Sequence, residues 1–125
     1  MRGQKLFVRA IESGDAALLR DFMAVHACVD AVPACGLIGK LLGELVAVMA
    51  ISYDEPAAIR IDAIVVAREL RRKRIGRVMI EELSHLAAKM ERDWLIADAS
   101  GDAREFLQRV GFVERGNQMV RKVVR

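Results

Sequence analysis

Apolar residues recur along this chain in short blocks whose spacing predicts seven strands and three helices. Blocks rich in Val, Ile and Phe, either alternating with polar residues or continuously apolar, are typical of strands. They predict strands at residues 5–11, 36–42, 44–53, 58–67, 94–99, 112–115 and 118–124. Apolar residues three or four positions apart predict helices at residues 13–26, 75–90 and 100–110.

Local signals mark where these elements begin and end. Ser13 is expected to cap the first helix, with Asp15 in its first turn. The pairs at residues 43–44 and 116–117 are typical of tight turns between antiparallel strands. Gly111 is expected to end the third helix in the left-handed conformation.

The order of the elements predicts the fold class. Three strands joined by short turns over residues 36–67 predict an antiparallel meander. The strand–helix–strand segment over residues 58–99 predicts a right-handed crossover with its two strands parallel. The order β-α-β-β-β-α-β-α-β-β indicates an α/β (α+β) fold, a mixed and mostly antiparallel sheet with helices on both faces. A length of 125 residues fits one domain, residues 1–125.

Composition changes this picture in one place. Apolar residues make up 54% and charged residues 30%, an ordinary globular balance, and a net charge of +3 does not by itself indicate nucleic acid. However, six of the ten residues from 68 to 77 are Arg or Lys. This basic segment lies between an apolar run, residues 59–67, and the second helix. A helix N-terminus after a basic turn favours an anion, most plausibly a phosphate.

The spacing of the two cysteines, Cys28 and Cys35, does not indicate a chemical role. They lack the spacing of metal ligands, so no metal is expected, and two free thiols indicate a reducing, cytoplasmic compartment. The longest apolar stretches are broken well before about 18 residues, so no membrane contact is expected.

Two segments resemble the GNAT superfamily of acyl-CoA-dependent N-acetyltransferases. Residues 65–76, followed by the helix to Leu83, are similar to the family's strand and its Gln/Arg-x-x-Gly-x-Gly/Ala turn. Residues 103–112 are similar to the family's Ala-x-x-Phe-Tyr-x-Lys-x-Gly-Phe segment. The separation of the two segments and the element order also fit. The resemblance implies a single GNAT-like acetyltransferase domain.

The resemblance further implies acetyl-CoA as cofactor. Backbone N–H groups of the turn would hold the pyrophosphate of coenzyme A, and the backbone of the fourth strand would bind the pantetheine arm and polarise the thioester. That strand would have to splay from the fifth to leave its backbone accessible. The implied cofactor-binding residues are Ile64, Val65, Val66, Arg71, Arg72, Lys73, Arg74, Ile75, Gly76, Arg77, Ser100 and Phe106.

Three positions depart from the family pattern. Arg74 stands where the turn usually has its first glycine, so its side chain either crowds the pyrophosphate or points outward and adds charge. Leu107 replaces the tyrosine that often protonates the leaving thiolate. Ser100 stands where an asparagine often binds the pantetheine arm or a water, and it also fits a helix cap.

The expected reaction is direct attack of a primary amine on the thioester, which needs a base. Asp62, on the fourth strand between apolar neighbours, is the candidate base, because desolvation there would raise the pKa of its carboxylate. The alternative for Asp62 is a solvent-facing or salt-bridged strand residue. Tyr53, at the end of the third strand, is a second candidate for the acceptor site, or an ordinary strand-end aromatic. His26 and His85 are not expected to be catalytic, and a covalent acyl-cysteine route has no supporting His–carboxylate pair.

The acceptor is expected to be an amine of a small molecule or peptide. The short region at residues 26–36 predicts either an open acceptor site or a pocket completed by a second subunit, as in a homodimer. Two other functions remain open. The first is a catalytically degenerate protein that binds acyl-CoA or a partner, which the three departures favour. The second is a nucleic-acid-binding module, against which the narrow basic segment and the few aromatic residues argue.

Overall fold

Strands and helices alternate through the computed structural model, which describes residues 5–29, 31–71, 73–99 and 103–124. The strands are β1 (Phe7–Ala10), β2 (Gly36–Leu41), β3 (Glu44–Ser52), β4 (Ala58–Val66), β5 (Trp94–Asp98), β6 (Val113–Arg115) and β7 (Gln118–Lys122). The helices are α1 (Ala16–His26), α2 (Ile75–Lys89) and α3 (Ala103–Arg109). Short 3-10 turns cover Ser13–Asp15 and Arg68–Leu70.

The strands form one sheet in the order β1-β2-β3-β4-β5-β7-β6. The pairs β1–β2, β2–β3, β5–β7 and β6–β7 are antiparallel, and β4–β5 is parallel. The predicted element order, the mixed and mostly antiparallel sheet, and the parallel crossover through α2 are therefore confirmed. The strand edges differ from the prediction by at most two residues, since loose alternation in a sequence does not fix where pairing ends.

Two compact units divide the described residues. One unit comprises the residues up to Ala50 together with Ala63–Met79. Its most buried apolar side chains are those of Leu19, Ile38, Val48, Met49, Ile75 and Met79. The other unit comprises Ile51–Asp62 and the residues from Ile80 onward. Its most buried side chains are those of Ile59, Ile80, Leu83, Leu95 and Met119. The apolar stripe predicted along α2 thus supplies buried residues to each unit.

The start of α1 corrects one prediction. Ser13 does not cap the helix; the 3-10 turn that precedes α1 begins after Glu12, whose backbone N–H donates to Oδ2 of Asp15 at 2.8 Å. The buried carboxylate of Asp15 also accepts two hydrogen bonds of 2.8 Å from the guanidinium of Arg9. These bonds from Arg9, followed by the one from the Glu12 amide, hold the pKa of Asp15 well below its usual range.

The structure can be compared with the turns that the sequence predicts from its glycines. Between β2 and β3 the turn is Leu42–Gly43, one residue earlier than predicted, because Leu41 pairs with Glu44. Both turn residues have positive φ, 53° and 84°, as a type I′ turn requires. The predicted Gly116-Asn117 turn is confirmed by the Arg115–Gln118 pair, and Gly111 has the expected left-handed φ of 97°. The predicted start of the third helix, residues 100–102, lies outside the described residues.

Candidate active site

The end of β4, the short turn after it and the first residues of α2 lie within the first unit. The backbone N–H of Ala67 donates to the carbonyl of Val46 at 2.8 Å, which fixes the point where β4 ends. The Arg68–Leu70 turn follows, and α2 begins at Ile75. The N–H of Val78 donates to the carbonyl of Arg74 at 3.1 Å, so the amides of residues 74–77 stand ahead of the helical hydrogen bonds.

Arg74 has a φ of 65°, in the left-handed region that favours glycine. A non-glycine residue there costs roughly 1–2 kcal/mol of backbone strain. Arg74 thus adopts, at that cost, the conformation that glycine adopts easily at this position. Its side chain is exposed. The turn is therefore formed without the glycine, with Arg74 in the left-handed conformation.

The backbone amides and cationic side chains at the start of α2 suit an anion. Lys73, Arg74 and Arg77 are exposed around the start of α2, Ile75 is buried, and Gly76 is half-buried. Amides at a helix N-terminus together with cationic side chains attract phosphate oxygens through charge-assisted hydrogen bonds. The residues present therefore suit a pyrophosphate. Arg72, predicted to belong to this group, lies outside the described residues.

Arg71 is engaged by the protein itself. Its Nε donates to the carbonyl oxygen of Val66 at 3.3 Å, and its Nη2 donates to the carbonyl oxygen of His26 at 3.2 Å. Two backbone segments, the end of β4 and the end of α1, are thus joined by one guanidinium. The sequence placed Arg71 among the phosphate ligands and gave no sign of these contacts.

Arg68 makes a second connection to the end of α1, which the sequence also did not predict. Its backbone N–H donates to Nδ1 of His26 at 3.1 Å, and its Nη2 donates to Sγ of Cys28 at 3.1 Å. The ring of His26 lies against that of Phe22, with centroids 4.6 Å apart. His26 therefore has a structural role here. These partners are 42 and 40 residues apart in the chain, and no local pattern links them.

β4 extends beyond its ladder with β5. The parallel pairs run from Ala58–Trp94 to Ile61–Ala97, and β4 continues for five more residues, 62–66. Ile64, Val65 and Val66 are half-buried. β5 itself ends at Asp98, one residue after the last pair, so the splay of the two strands stays a prediction.

Asp62 is exposed, which corrects the reason for choosing it. Its apolar neighbours in sequence were expected to desolvate it, but Ile59 and Ile61 are the buried residues of that alternation. Ser52 Oγ donates to Oδ1 of Asp62 at 3.2 Å, while Arg60, the expected neighbour, pairs with Asp54 at 3.3 Å. Asp62 is thus an accessible carboxylate held by a serine, and Ser52 is a residue that sequence reasoning missed.

Tyr53 has a different neighbour. It is 41% exposed, and the guanidinium carbon of Arg92 lies 4.9 Å from its ring centroid. Arg92 in turn donates to the carbonyl oxygens of Glu55 and Ala58, at 2.7 and 2.9 Å. Tyr53 follows Ser52, the last residue of β3, and therefore lies in the loop rather than at the end of the strand. These contacts favour a structural role for Tyr53 in the loop after β3.

The comparison of the sequence with known families decides the identity of the fold. The sequence profile of the acetyltransferase (GNAT) domain matches residues 39–125, which include β4, the turn and α3. The chain belongs to the GNAT acetyltransferase family. No curated protein matches the sequence significantly.

Solved GNAT structures share the fold across almost the whole chain. Ard1 from Thermoplasma volcanium matches with a TM-score of 0.78 at 14% identity, over 96% of this chain and 99% of that one. The ribosomal-protein-S18-alanine N-acetyltransferase from Escherichia coli matches with a TM-score of 0.79 at 13% identity, over 97% of this chain and 96% of that one. A GNAT family N-acetyltransferase (YhbS) from Escherichia coli, solved in complex with CoA, matches with a TM-score of 0.74 at 13% identity, over 99% and 84%.

The second GNAT-like segment lies on α3. Leu107, at the position of the family's frequent tyrosine, is 2% exposed and belongs to the core. Phe106 is half-buried, and Ser100 lies outside the described residues. A leucine at this buried position cannot supply a proton, so this GNAT domain has no phenolic acid at that point of the chain.

The remaining predictions concern residues away from the turn. His85 is exposed on α2, and Cys28 and Cys35 are both free and exposed. Within the described ranges, no three His, Cys, Asp or Glu side chains are grouped as metal ligands would be. No helix in the same ranges has the length and hydropathy needed to cross a membrane.

Proposed function

We propose that this GNAT protein transfers an acetyl group from acetyl-CoA to a primary amine of a small molecule or peptide. The family match and the structure of a relative solved with CoA support acetyl-CoA as the cosubstrate. Acetyl-CoA supplies the activated acetyl group. The residues of this chain supply the binding site, the polarising amides and the base.

The backbone provides the binding part of the proposal. Amides of residues 74–77 precede the helical hydrogen bonds of α2 and bind the pyrophosphate, assisted by the cations of Lys73, Arg74 and Arg77. The backbone of β4 at Ile64, Val65 and Val66 binds the pantetheine arm, and its N–H groups polarise the thioester carbonyl.

Asp62 is the proposed base. It is exposed, it stands two residues before the pantetheine-binding part of β4, and Ser52 fixes one of its oxygens. The carboxylate accepts the proton of the attacking amine directly or through one water. Tyr53 has no part in this proposal, because its ring lies at Arg92.

The observation that carries the proposal is the left-handed Arg74 immediately before α2. A strained non-glycine residue that still forms the turn indicates a backbone conformation kept for a purpose, and anion binding is the purpose that the amides at the start of α2 and the exposed cations serve. Isothermal titration with CoA tests the binding step, and we expect saturable binding at micromolar concentrations. A failure to bind at millimolar CoA would contradict the proposal.

A catalytically degenerate acyl-CoA-binding protein is the second candidate, and the buried Leu107 favours it. Turnover separates the two candidates. An active enzyme releases CoA from acetyl-CoA when a panel of amines and N-terminal peptides is added, whereas a binding protein retains it. Since the thiol of CoA is a fair leaving group and water can protonate it, the leucine alone does not prevent turnover.

Three further points complete the proposal, and they concern the domain, the cellular compartment and the assembly. Residues 1–125 act as one acetyltransferase domain, although two compact units are found within them. The two free cysteines support a reducing, cytoplasmic compartment. A second subunit completes the acceptor pocket where the short segment after α1 leaves it open, and this assembly is tested by sedimentation with and without acetyl-CoA.

A further inference from the structure

Two arginines at the start of the turn bind the segment that follows α1. Arg71 donates to the carbonyl oxygens of His26 and Val66 at 3.2 and 3.3 Å. Arg68 donates to Nδ1 of His26 and Sγ of Cys28, both at 3.1 Å. We refer to Arg68, Arg71, His26 and Cys28 as the arginine clasp.

The clasp satisfies groups that a helix end leaves without partners. His26 is the last residue of α1, and its carbonyl cannot be bonded within the helix. A guanidinium at that point also suits the negative end of the helix dipole. Cys28 leaves the helix with a left-handed φ of 56°, while Val29 N–H closes the turn on the carbonyl of Met23 at 3.4 Å.

The orientation of Arg71 bears on its role toward the cofactor. A bidentate grip on a phosphate uses two N–H groups on one edge of the guanidinium. In Arg71 the edge formed by Nε and Nη2 is directed at two carbonyl oxygens of the protein. The side chain of Arg71 therefore joins the end of β4 to the end of α1.

We propose that Arg71 is a positioning residue that holds the turn and the segment after α1 together, and that it is not a phosphate ligand. The inference rests on the proposed function, because the turn is positioned for CoA. Breaking the clasp loosens the backbone that receives the whole cofactor, so every ligand of that backbone is weakened alike. By linkage, cofactor binding in turn stabilises the clasp and protects Cys28.

Ligands with and without the pyrophosphate separate the two roles. CoA and pantetheine, which lacks the phosphates, are titrated into wild type, Arg71→Ala and Lys73→Ala. We expect Arg71→Ala to weaken both ligands by a similar factor, about tenfold, and Lys73→Ala to weaken CoA only. Loss of CoA affinity alone in Arg71→Ala would identify Arg71 as a phosphate ligand and overturn the inference. Wild type binding neither ligand would instead reject the proposed function.

A measurement without ligand tests the clasp directly. In a Cys35→Ser background, Cys28 is labelled with a thiol reagent, and we expect Arg71→Ala to speed the labelling about tenfold. Arg20→Ala, a change at an exposed arginine of α1 outside the clasp, should leave the rate unchanged. In a Cys28→Ser background, Cys35 should label at the same rate with or without Arg71. An unchanged Cys28 rate in Arg71→Ala would contradict the clasp.

The conservative variant Arg71→Lys keeps the inference testable if the alanine variant fails to fold. Lysine keeps the charge that a phosphate needs but lacks the fork that joins two carbonyl oxygens. We expect Arg71→Lys to weaken CoA and pantetheine alike and to speed the labelling of Cys28. Behaviour like wild type in both measurements would overturn the inference.

Discussion

The turn before α2 and the pair formed by Ser52 of β3 and Asp62 of β4 are built in different ways. The turn depends on backbone conformation, since Arg74 adopts a φ of 65° and the amides that follow it precede the helical hydrogen bonds. The Ser52–Asp62 pair depends on two side chains brought together across neighbouring strands. A backbone site tolerates an arginine in place of a glycine at a moderate cost in strain. A side-chain site has no such tolerance, because the chemistry is in the group itself.

The largest effect is therefore expected at Asp62. Asp62→Asn keeps the size of the side chain but removes the base, so kcat should fall by about a hundredfold or more. CoA affinity should not change, because the carboxylate takes no part in cofactor binding. The measurement is steady-state turnover with the best amine acceptor, paired with a CoA titration.

Asp54→Asn is the matched control, since it removes an exposed carboxylate from the loop between β3 and β4. It should leave kcat within about twofold of wild type, as most surface substitutions do. Equal losses in both variants would show that charge near β4, and no specific base, supports turnover. The Ser52–Asp62 pair would then not be a site that depends on one specific side chain.

A charge reversal at the turn should have a smaller effect on a different constant. Lys73→Glu places an anion beside the proposed pyrophosphate, and CoA should bind about tenfold more weakly at low salt, with less difference at high salt. Lys122→Glu makes the same change of charge at an exposed residue of β7 and serves as control. Titrations at two salt concentrations check this, and equal weakening in both variants would indicate only a response to net charge.

The Arg9–Asp15 pair offers a side-chain network that has no role at the turn. The pKa of Asp15 lies below its usual range, so this group stabilises the fold above about pH 4, the ordinary value for an aspartate, and the stabilisation is lost as the pH falls further. Asp15→Asn should lower the free energy of unfolding at pH 7, and the difference from wild type should shrink in acid. Denaturant titrations at several pH values measure this. A constant difference from pH 7 to strongly acid pH would contradict the ionic origin.

Much of the fold could be predicted because its signals are local. The spacing of apolar residues along α2, the Gly116-Asn117 turn and the left-handed Gly111 each depend on a few adjacent residues. The Leu42–Gly43 turn was placed one residue too late because the sequence offers only one glycine there, while both turn residues need positive φ. Ser13 was chosen as a cap because the sequence could not show Arg9 and Glu12 holding Asp15.

The candidate site could be predicted only in part, for the same reason. The turn follows from a contiguous pattern, and its position before α2 agrees with the prediction. The arginine clasp joins residues 40 or more positions apart, and the hydrogen bond from Ser52 to Asp62 joins two strands. No local pattern in the sequence predicts contacts of either kind. The apolar neighbours of Asp62 in the sequence predict a desolvated carboxylate. In the structure the alternation along β4 buries Ile61 and leaves Asp62 exposed.

Arg74 gives the most direct test of the central claim, that the turn binds CoA through its backbone with an arginine in the glycine position. Arg74→Gly and Arg74→Ala remove the same charge, but only glycine relieves the strain at positive φ. Titration with CoA should give both variants similar affinities, each about threefold weaker than wild type through the lost cation. Arg74→Gly should be more stable than Arg74→Ala by about 1 kcal/mol. Binding of CoA to Arg74→Gly at least tenfold tighter than to wild type would show that the arginine obstructs the turn and would contradict the account.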